Sequence, residues 1–131
     1  IYFSALNAEV LIPEFHSGEG GIDRRLADLI EGPRFLDLSP VLPPGVRLLG
    51  NEQRGDLLYV NFSQDLISNH PGGSRGEILS VYGIVNTLAD VPGIERVQIL
   101  VEGELVPTLA GHLYIGKPLK KDYTLLGGSL I

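Results

Sequence analysis

The residues best suited to chemistry fall in one short segment, at Asp65, Asn69 and His70. A carboxylate, an amide and an imidazole this close in the chain could form a general acid–base pair, in which the carboxylate orients the histidine. A hydrolase would also need a nucleophile, and no candidate stands near these residues in the sequence. The segment therefore predicts a locally hydrogen-bonded loop histidine, with a hydrolase site at Asp65 and His70 as an alternative.

Histidines and cysteines decide whether a metal site is expected. The histidines His16, His70 and His112 lie far apart, so a histidine-based metal site would need all three to converge. There are no cysteines, which excludes a thiolate metal site, a thiol nucleophile and a disulfide framework. The chain also lacks a glycine-rich phosphate loop ending in Lys-Ser or Lys-Thr. We therefore predict no catalytic residue, no metal and no cofactor.

A glycine-rich loop leads into the longest predicted helix. That helix is predicted to begin at a capping box, in which Ser74 accepts from first-turn amides and Glu77 reaches back to the cap amide. Exposed amides at such a helix start could instead bind an anion, but Glu77 would occupy that position. The loop is a candidate ligand-binding segment and contains Asn69, His70, Pro71, Gly72 and Gly73.

One stripe of this helix carries only small side chains. The apolar residues between 78 and 89 fill a broad arc of the helical wheel, and the opposite stripe consists of Gly76, Ser80, Gly83 and Thr87. Glycine at 83 weakens a helix by roughly 1 kcal/mol relative to alanine, which indicates that a side chain is unwelcome there. We predict that the stripe faces outward, either as a plain solvent-facing surface or as a candidate interaction surface on which another helix or a sheet docks. A bulky residue at 83 would then leave the fold stable but impair association.

Composition limits the kind of partner. The chain has 131 residues, which suits one domain with its own core. Its formal net charge of −6 argues against a nucleic-acid partner and against direct adsorption to anionic lipid, because both favour surfaces rich in Lys and Arg. The first segment is apolar but contains Pro13 and two acids, so it resembles neither a signal peptide nor a membrane span.

The hydrophobic pattern predicts the α+β class. Residues 22–31 have the spacing of a surface helix, with Arg24, Arg25, Asp28 and Glu31 on its outer face. The tripeptide at 54–56 is interpreted as a hairpin turn. Strand-forming runs cover residues 1–6, 9–12, 46–52, 57–62, 94–102, 104–106 and 112–115. Grouped strands with two helices predict a small, mainly antiparallel or mixed sheet with both helices packed on one face.

Several short motifs occur together in this chain. Residues 60–66 read VNFSQDL, residues 69–74 read NHPGGS, and residues 97–104 read VQILVEGE. With the opening IYF and LPPGVRLL at 42–49, this combination resembles the GerMN family, a domain of sporulation and spore germination proteins. The resemblance covers residues 1–119 as a single domain. It leaves residues 120–131 as a C-terminal tail or the start of a linker.

The resemblance carries expectations about fold and function. It implies a fold similar to the ring-building motifs of secretion systems, and no enzymatic activity. It also implies an extracytoplasmic protein, tethered to the outer face of the cytoplasmic membrane as a lipoprotein or through an anchor upstream of this chain. The predicted function is a non-enzymatic interaction or assembly domain of a bacterial envelope protein, with a protein partner or self-association. The alternative is an accessory domain that binds cell-wall ligand through residues 68–73.

Overall fold

The computed structural model describes residues 1–6, 9–16 and 21–127. Within these residues, six strands and three helices follow one another along the chain. They are β1 (Tyr2–Ala5), β2 (Leu11–Pro13), α1 (Ile22–Glu31), β3 (Leu38–Ser39), β4 (Leu48–Arg54), β5 (Leu57–Phe62), α2 (Asp65–Ser68), α3 (Ser74–Ala89) and β6 (Arg96–Val101). A 3-10 turn at Tyr123–Leu125 comes last.

The strands of the described residues form two three-stranded sheets. In the first sheet, β1 lies between β2 and β3 and is antiparallel to both. In the second sheet, β5 lies between an antiparallel β4 and a parallel β6. The parallel pair is possible because α3 carries the chain back along the sheet between β5 and β6. The predicted α+β class is confirmed, although the strands divide between two sheets where one was expected.

Helix α3 lies at the centre of the molecule, where it contacts β1, α1 and β6. The inner face of β5 carries Leu58, Val60 and Phe62, and each pairs with an apolar residue of β6. These side chains are fully buried. Because alternate residues of a strand point to the same face, this register turns one continuous apolar surface toward α3.

Some predicted elements differ from the observed ones. Strand β4 begins and ends two residues later than predicted. No strand forms at 112–115, and residues 104–106 contribute only the bridge between Glu104 and Val101. The short elements β3 and α2 were not predicted, because two to four residues are too few to show a periodicity.

Later segments of the chain cover two sheet edges. Leu126 forms a parallel bridge with Leu11 of β2, and the N–H of Gly127 donates to the carbonyl oxygen of Leu11 at 2.9 Å. Leu119 forms an antiparallel bridge with Val97 of β6. The outer edges of β2 and β6 are therefore paired by the chain itself.

Candidate functional site

His70 lies in the loop before α3, and both of its ring nitrogens form hydrogen bonds. Nδ1 accepts a hydrogen bond from the N–H of Gly72 at 3.0 Å, so this network assigns the ring proton to Nε2. Nε2 lies 2.9 Å from Ser80 Oγ, which donates to the carbonyl oxygen of Val41 at 2.6 Å. Burial, partly offset by the Glu77 carboxylate, lowers the pKa of His70. His70 is therefore a donor to Ser80 and does not activate its hydroxyl.

Asp65 and Asn69 are engaged elsewhere. Asp65 Oδ2 accepts from Ser63 Oγ at 2.9 Å, and Asp65 Oδ1 accepts from Asn69 Nδ2 at 3.3 Å. Asn69 Nδ2 also donates to the carbonyl oxygen of Pro44 at 2.7 Å. In the described part of the chain, the side-chain hydrogen bonds of His70 go to Gly72 and Ser80 and not to this pair. The structure therefore does not form the acid–base pair considered as an alternative.

A groove of about 310 Å³ opens between the first sheet and the start of α3, and His70 and Pro71 line it. Most of its walls are apolar and include Leu6, Pro40, Leu42, Pro43 and Leu79. The next loop residues, Gly72 and Gly73, have φ angles of +88° and +83°, a conformation that favours glycine, and they turn the chain into α3. Two of the five predicted loop residues thus line the groove.

The predicted capping box at Ser74 and Glu77 is wrong. Helix α3 begins at Ser74 itself, with Gly73 in the N-cap position, and no side chain caps the helix. Ser74 is exposed, whereas Glu77 is fully buried. The reason is that Glu77 has four partners in a different part of the fold.

The Glu77 carboxylate holds a loop that follows β6. Oε2 accepts from the N–H groups of Leu109 (3.0 Å) and Ala110 (2.8 Å), and Oε1 accepts from those of His112 (2.8 Å) and Leu113 (3.3 Å). Burial alone would raise the pKa of Glu77, but the four amide bonds outweigh burial and hold it below its ordinary value. Glu77 is therefore an anchor between α3 and this loop.

Three residues of the small-residue stripe of α3, Ser80, Gly83 and Thr87, face inward, so the prediction of an exposed docking surface is wrong for them, whereas Gly76 lines the groove. The members of the stripe are buried or half-buried: Gly76, Ser80, Gly83 and Thr87. A β-carbon at Gly83 would lie 2.8 Å from Cγ2 of Val41, and Thr87 Oγ1 accepts from the N–H of Tyr2 at 3.0 Å. The small side chains let β1 and the segment around Val41 approach the helix. The prediction failed because it assumed a surface helix, and α3 is enclosed.

A buried charge cluster around His16 was not predicted. His16 Nδ1 lies 2.8 Å from Asp28 Oδ2, and Nε2 lies 2.5 Å from Glu14 Oε1. The side chains of His16, Asp28 and Glu14 are 7%, 7% and 1% exposed. Arg24 and Arg34 approach Asp28 with half-exposed side chains. Asp28 therefore does not lie on the solvent face of α1, because its carboxylate turns toward His16.

Glu14 also fixes the connector that follows α1. Its carboxylate accepts from the N–H groups of Arg34 and Phe35, each at 3.0 Å. Burial acts to raise the pKa values of Glu14 and Asp28, but the hydrogen bonds from His16 and their other partners outweigh it and lower both. The sequence signal for this cluster was the pair Glu14 and His16, two residues apart, where an extended chain turns both side chains to one face.

Three large apolar side chains project from this cluster into solvent. Phe15, Phe35 and Leu36 are 89%, 59% and 99% exposed. Phe15 lies between Glu14 and His16 in the chain, and the Phe35 amide is bound by Glu14. We refer to Phe15, Phe35 and Leu36 as the apolar corner.

Neither a metal-binding cluster nor a helix able to cross a bilayer is found within the described ranges. Across these residues, no group of three or more His, Asp or Glu is placed to hold a metal ion. Of the helices in the described ranges, none is long and apolar enough to cross a bilayer.

Comparison with family models decides the identity of the domain. The model of the Germane family, described as sporulation and spore germination, matches residues 1–107. The chain belongs to this family. The prediction of a GerMN-type domain is thereby confirmed, and the matched Germane region contains α3 with Glu77, the groove and the His16 cluster. No curated protein sequence matches the chain.

Solved structures agree with the Germane assignment. A structure described as "Putative Lipoprotein from Clostridium perfringens" has a TM-score of 0.70 at 30% identity, over 77% of this chain and 67% of that one. The tandem GerMN domains of the Bacillus subtilis sporulation protein GerM have a TM-score of 0.70 at 17% identity, over 97% of this chain and 46% of that one. This chain thus spans less than half of the tandem structure. The first GerMN domain of the same protein has a TM-score of 0.64 at 14% identity, over 92% and 93% of the two chains. The two GerM structures show a shared fold.

Proposed function

We propose that this Germane-family chain is a non-catalytic interaction domain of a bacterial envelope protein, which assists assembly of a sporulation- or germination-related complex outside the cytoplasmic membrane. The observation behind the proposal is that the exposed apolar corner is attached to the buried cluster of Glu14, His16 and Asp28. Burying ionised groups costs free energy unless every charge is paired. Here the hydrogen bonds of Glu14 to His16 and to the amides of Arg34 and Phe35 order the chain that carries the apolar corner. The side chains of the apolar corner nevertheless remain exposed to solvent. Contiguous exposed apolar side chains commonly mark protein interaction sites, and Phe is enriched at protein interfaces.

The hydrogen bonds of His70, Ser80 and Glu77 near the loop before α3 support a non-catalytic role. His70 donates to Ser80, and Ser80 donates to Val41. Glu77 is saturated by four backbone amides. These bonds stabilise the fold and occupy the acceptor atoms of His70 Nδ1 and of the Glu77 carboxylate.

The extracytoplasmic location is part of the same proposal. The 30%-identical neighbour described as a putative lipoprotein supports it. We propose that an anchor upstream of this chain tethers the domain to the outer face of the cytoplasmic membrane.

Photo-crosslinking in the cells that make the protein tests the interaction role. A photoreactive amino acid is placed at Leu36, in the apolar corner, and at Leu105 as a control of equal chemistry, 59% exposed and outside the corner. We expect a discrete adduct with an envelope protein from position 36 only, and its loss when Phe15→Ser is added. Equal adducts from both positions, or none from position 36, would contradict the proposal.

A second candidate function is binding of cell-wall glycan or peptide fragments. The observation in its favour is the mainly apolar groove of about 310 Å³ at His70 and Pro71. An NMR titration with wall fragments tests it. Shifts confined to His70, Gly76 and Ser80 would support binding in the groove, and unchanged spectra at roughly millimolar ligand would dispose of it.

A further inference from the structure

Strand β4 is a long sheet edge that the described chain leaves open. The β2 and β6 edges are paired by Leu126 and Leu119, and β3 is only two residues long. Within residues 1–6, 9–16 and 21–127, no strand or bridge pairs with the outer side of the seven-residue β4. The unpaired backbone donors and acceptors of such an edge are a template for another strand.

Strand β4 has little of the usual protection of an edge strand at residues 50–54. Edges are commonly blunted by proline, by charged side chains and above all lysine, or by a bulge. Strand β4 reads LLGNEQR and contains neither proline nor lysine, and its two charged residues, Glu52 and Arg54, have opposite signs and can pair with those of a second copy. The irregularity of β4 lies at its start, between Leu48 and Gly50, so residues 50–54 keep a regular register with β5.

Opposite charges lie on one face of this open edge. Glu52 and Arg54 pair with Tyr59 and Leu57 of β5, so both project from the outer face of the sheet. Their side chains are 61% and 67% exposed and lie 3.1 Å apart. The Arg54 guanidinium also lies 5.4 Å from the ring centre of Tyr59. The two charges stand on either side of Gln53.

We propose that two copies of this chain associate by antiparallel pairing of their β4 strands, about a two-fold axis at Gln53. This register places Glu52 of each copy opposite Arg54 of the other. A two-fold axis at Glu52 would oppose two carboxylates, and an axis at Asn51 would pair Glu52 with Gly50. Since directly opposed side chains in antiparallel strands lie about 5 Å apart, charge favours the first register.

The backbone geometry agrees with this register. The hairpin between β4 and β5 has a two-residue turn at Gly55 and Asp56, and such turns hydrogen-bond the residues that flank them. Arg54 therefore directs its backbone groups toward β5, and Gln53 directs its own outward. Pairing at Gln53 would join two three-stranded sheets into one six-stranded sheet.

Sedimentation equilibrium on the purified chain, with a charge exchange, tests the pairing. Glu52→Lys alone would oppose cations in both cross-strand pairs, and Arg54→Glu alone would oppose anions. We expect either variant to raise the dimer dissociation constant at least about tenfold. An equimolar mixture has opposite charges in both pairs again, so it should form a heterodimer within about threefold of the wild-type constant.

The matched control is Glu104→Lys, which makes the same charge change at an exposed position outside β4. It should leave the dimer constant unchanged. A wild-type chain that stays monomeric up to about 1 mM, a mixture that stays monomeric, or an equal loss in the control would overturn the proposal. The inference rests on the proposed role in assembly, but it is tested on purified protein and on different residues from the apolar corner. The proposed β4 pairing and the proposed interaction through the apolar corner can therefore be disproved independently of each other.

Discussion

The side-chain amide of Asn86 bonds the backbone of Asp122 in both directions. Asn86 Nδ2 donates to the Asp122 carbonyl oxygen at 3.0 Å, and the Asp122 N–H donates to Asn86 Oδ1 at 2.8 Å. Asn86 is fully buried in α3. Its side-chain amide gives the C-terminal segment the pair of N–H and C=O hydrogen bonds that a neighbouring β-strand would otherwise provide. The Tyr123 hydroxyl donates to Asp90 at the end of the same helix. Residues assigned from the sequence to a tail are thus held by α3.

Replacing Asn86 tests the attachment of this segment. Asn86→Ala removes both bonds, and we expect the free energy of unfolding in urea to fall by about 2 kcal/mol. Asn51→Ala, which removes one exposed bond to Asp23, is the control and should change it by no more than about 0.5 kcal/mol. Deleting residues 120–131 should destabilise the chain at least as much as Asn86→Ala. A truncated chain of full stability would show that the domain ends at 119.

Two glycines of α3 should respond oppositely to alanine. A β-carbon at Gly83 meets three atoms of Val41 at 2.8–3.0 Å, whereas one at Gly76 meets nothing within 4 Å. We expect Gly83→Ala to lower the free energy of unfolding by about 1–3 kcal/mol, and Gly76→Ala to raise it by up to about 1 kcal/mol. Chemical denaturation measures both. Adding Val41→Ala should recover part of the Gly83→Ala loss, and a Gly83→Ala protein of wild-type stability would contradict the packing described.

Glu77→Gln should destabilise the fold far more than a surface change. Glutamine has one acceptor oxygen, so at least two of the four bound amides lose their partner, and we expect a loss of about 2–4 kcal/mol at pH 7. Because folding lowers the pKa of Glu77, its contribution is present above the ordinary value of 4.5 and is lost as pH falls through the folded value. The difference in free energy of unfolding between the wild type and Glu77→Gln should therefore become smaller at acid pH. Exposed Glu104→Gln is the control, and a difference independent of pH would refute this role.

His16→Leu should leave two carboxylates facing each other in a buried site. We expect a loss of about 3–5 kcal/mol at pH 7, measured by urea unfolding. The pKa values of Glu14 and Asp28 are lowered in the fold, so the wild-type protein keeps their contribution above 4.5 and 3.8 and loses it as pH falls through the folded values. In the variant, protonation relieves the repulsion, and the difference should narrow below about pH 4. His16→Gln can donate to one carboxylate, so its free energy of unfolding should lie between those of the wild type and of His16→Leu. A difference in free energy between wild type and His16→Leu that grows in acid would contradict the cluster.

His70 should remain neutral at pH 6.5 and carry its proton on Nε2. Burial lowers its pKa from the ordinary 6.5, so proton binding favours the unfolded chain and stability declines as pH falls below that value. Nitrogen-15 NMR of the imidazole reports both the tautomer and the titration. A proton on Nδ1, or a pKa above 6.5, would remove the argument that His70 is a donor to Ser80.

Local pattern was sufficient for much of the fold. The helix at 22–31 and the strand at 57–62 were predicted where the structure has them, and the turn predicted at 54–56 forms at 55–56, because each rests on short-range periodicity or on turn geometry. The family could also be predicted, since several motifs occur together over most of the chain. Two of the predicted loop residues, His70 and Pro71, line the observed groove.

The sequence by itself determined the family, the α+β class and the main elements, while tertiary structure alone decided what the polar residues do. Glu77 has a capping pattern in the sequence, yet its bonds go to amides more than thirty residues later. Asp28 sits on the apparent solvent face of α1, yet it is buried against His16. The small stripe of α3 suggested an outside surface, yet Ser80, Gly83 and Thr87 lie inside, because β1 and the segment around Val41 pack against the helix there. Periodicity reports which residues share a face, but only the assembled chain shows what covers that face.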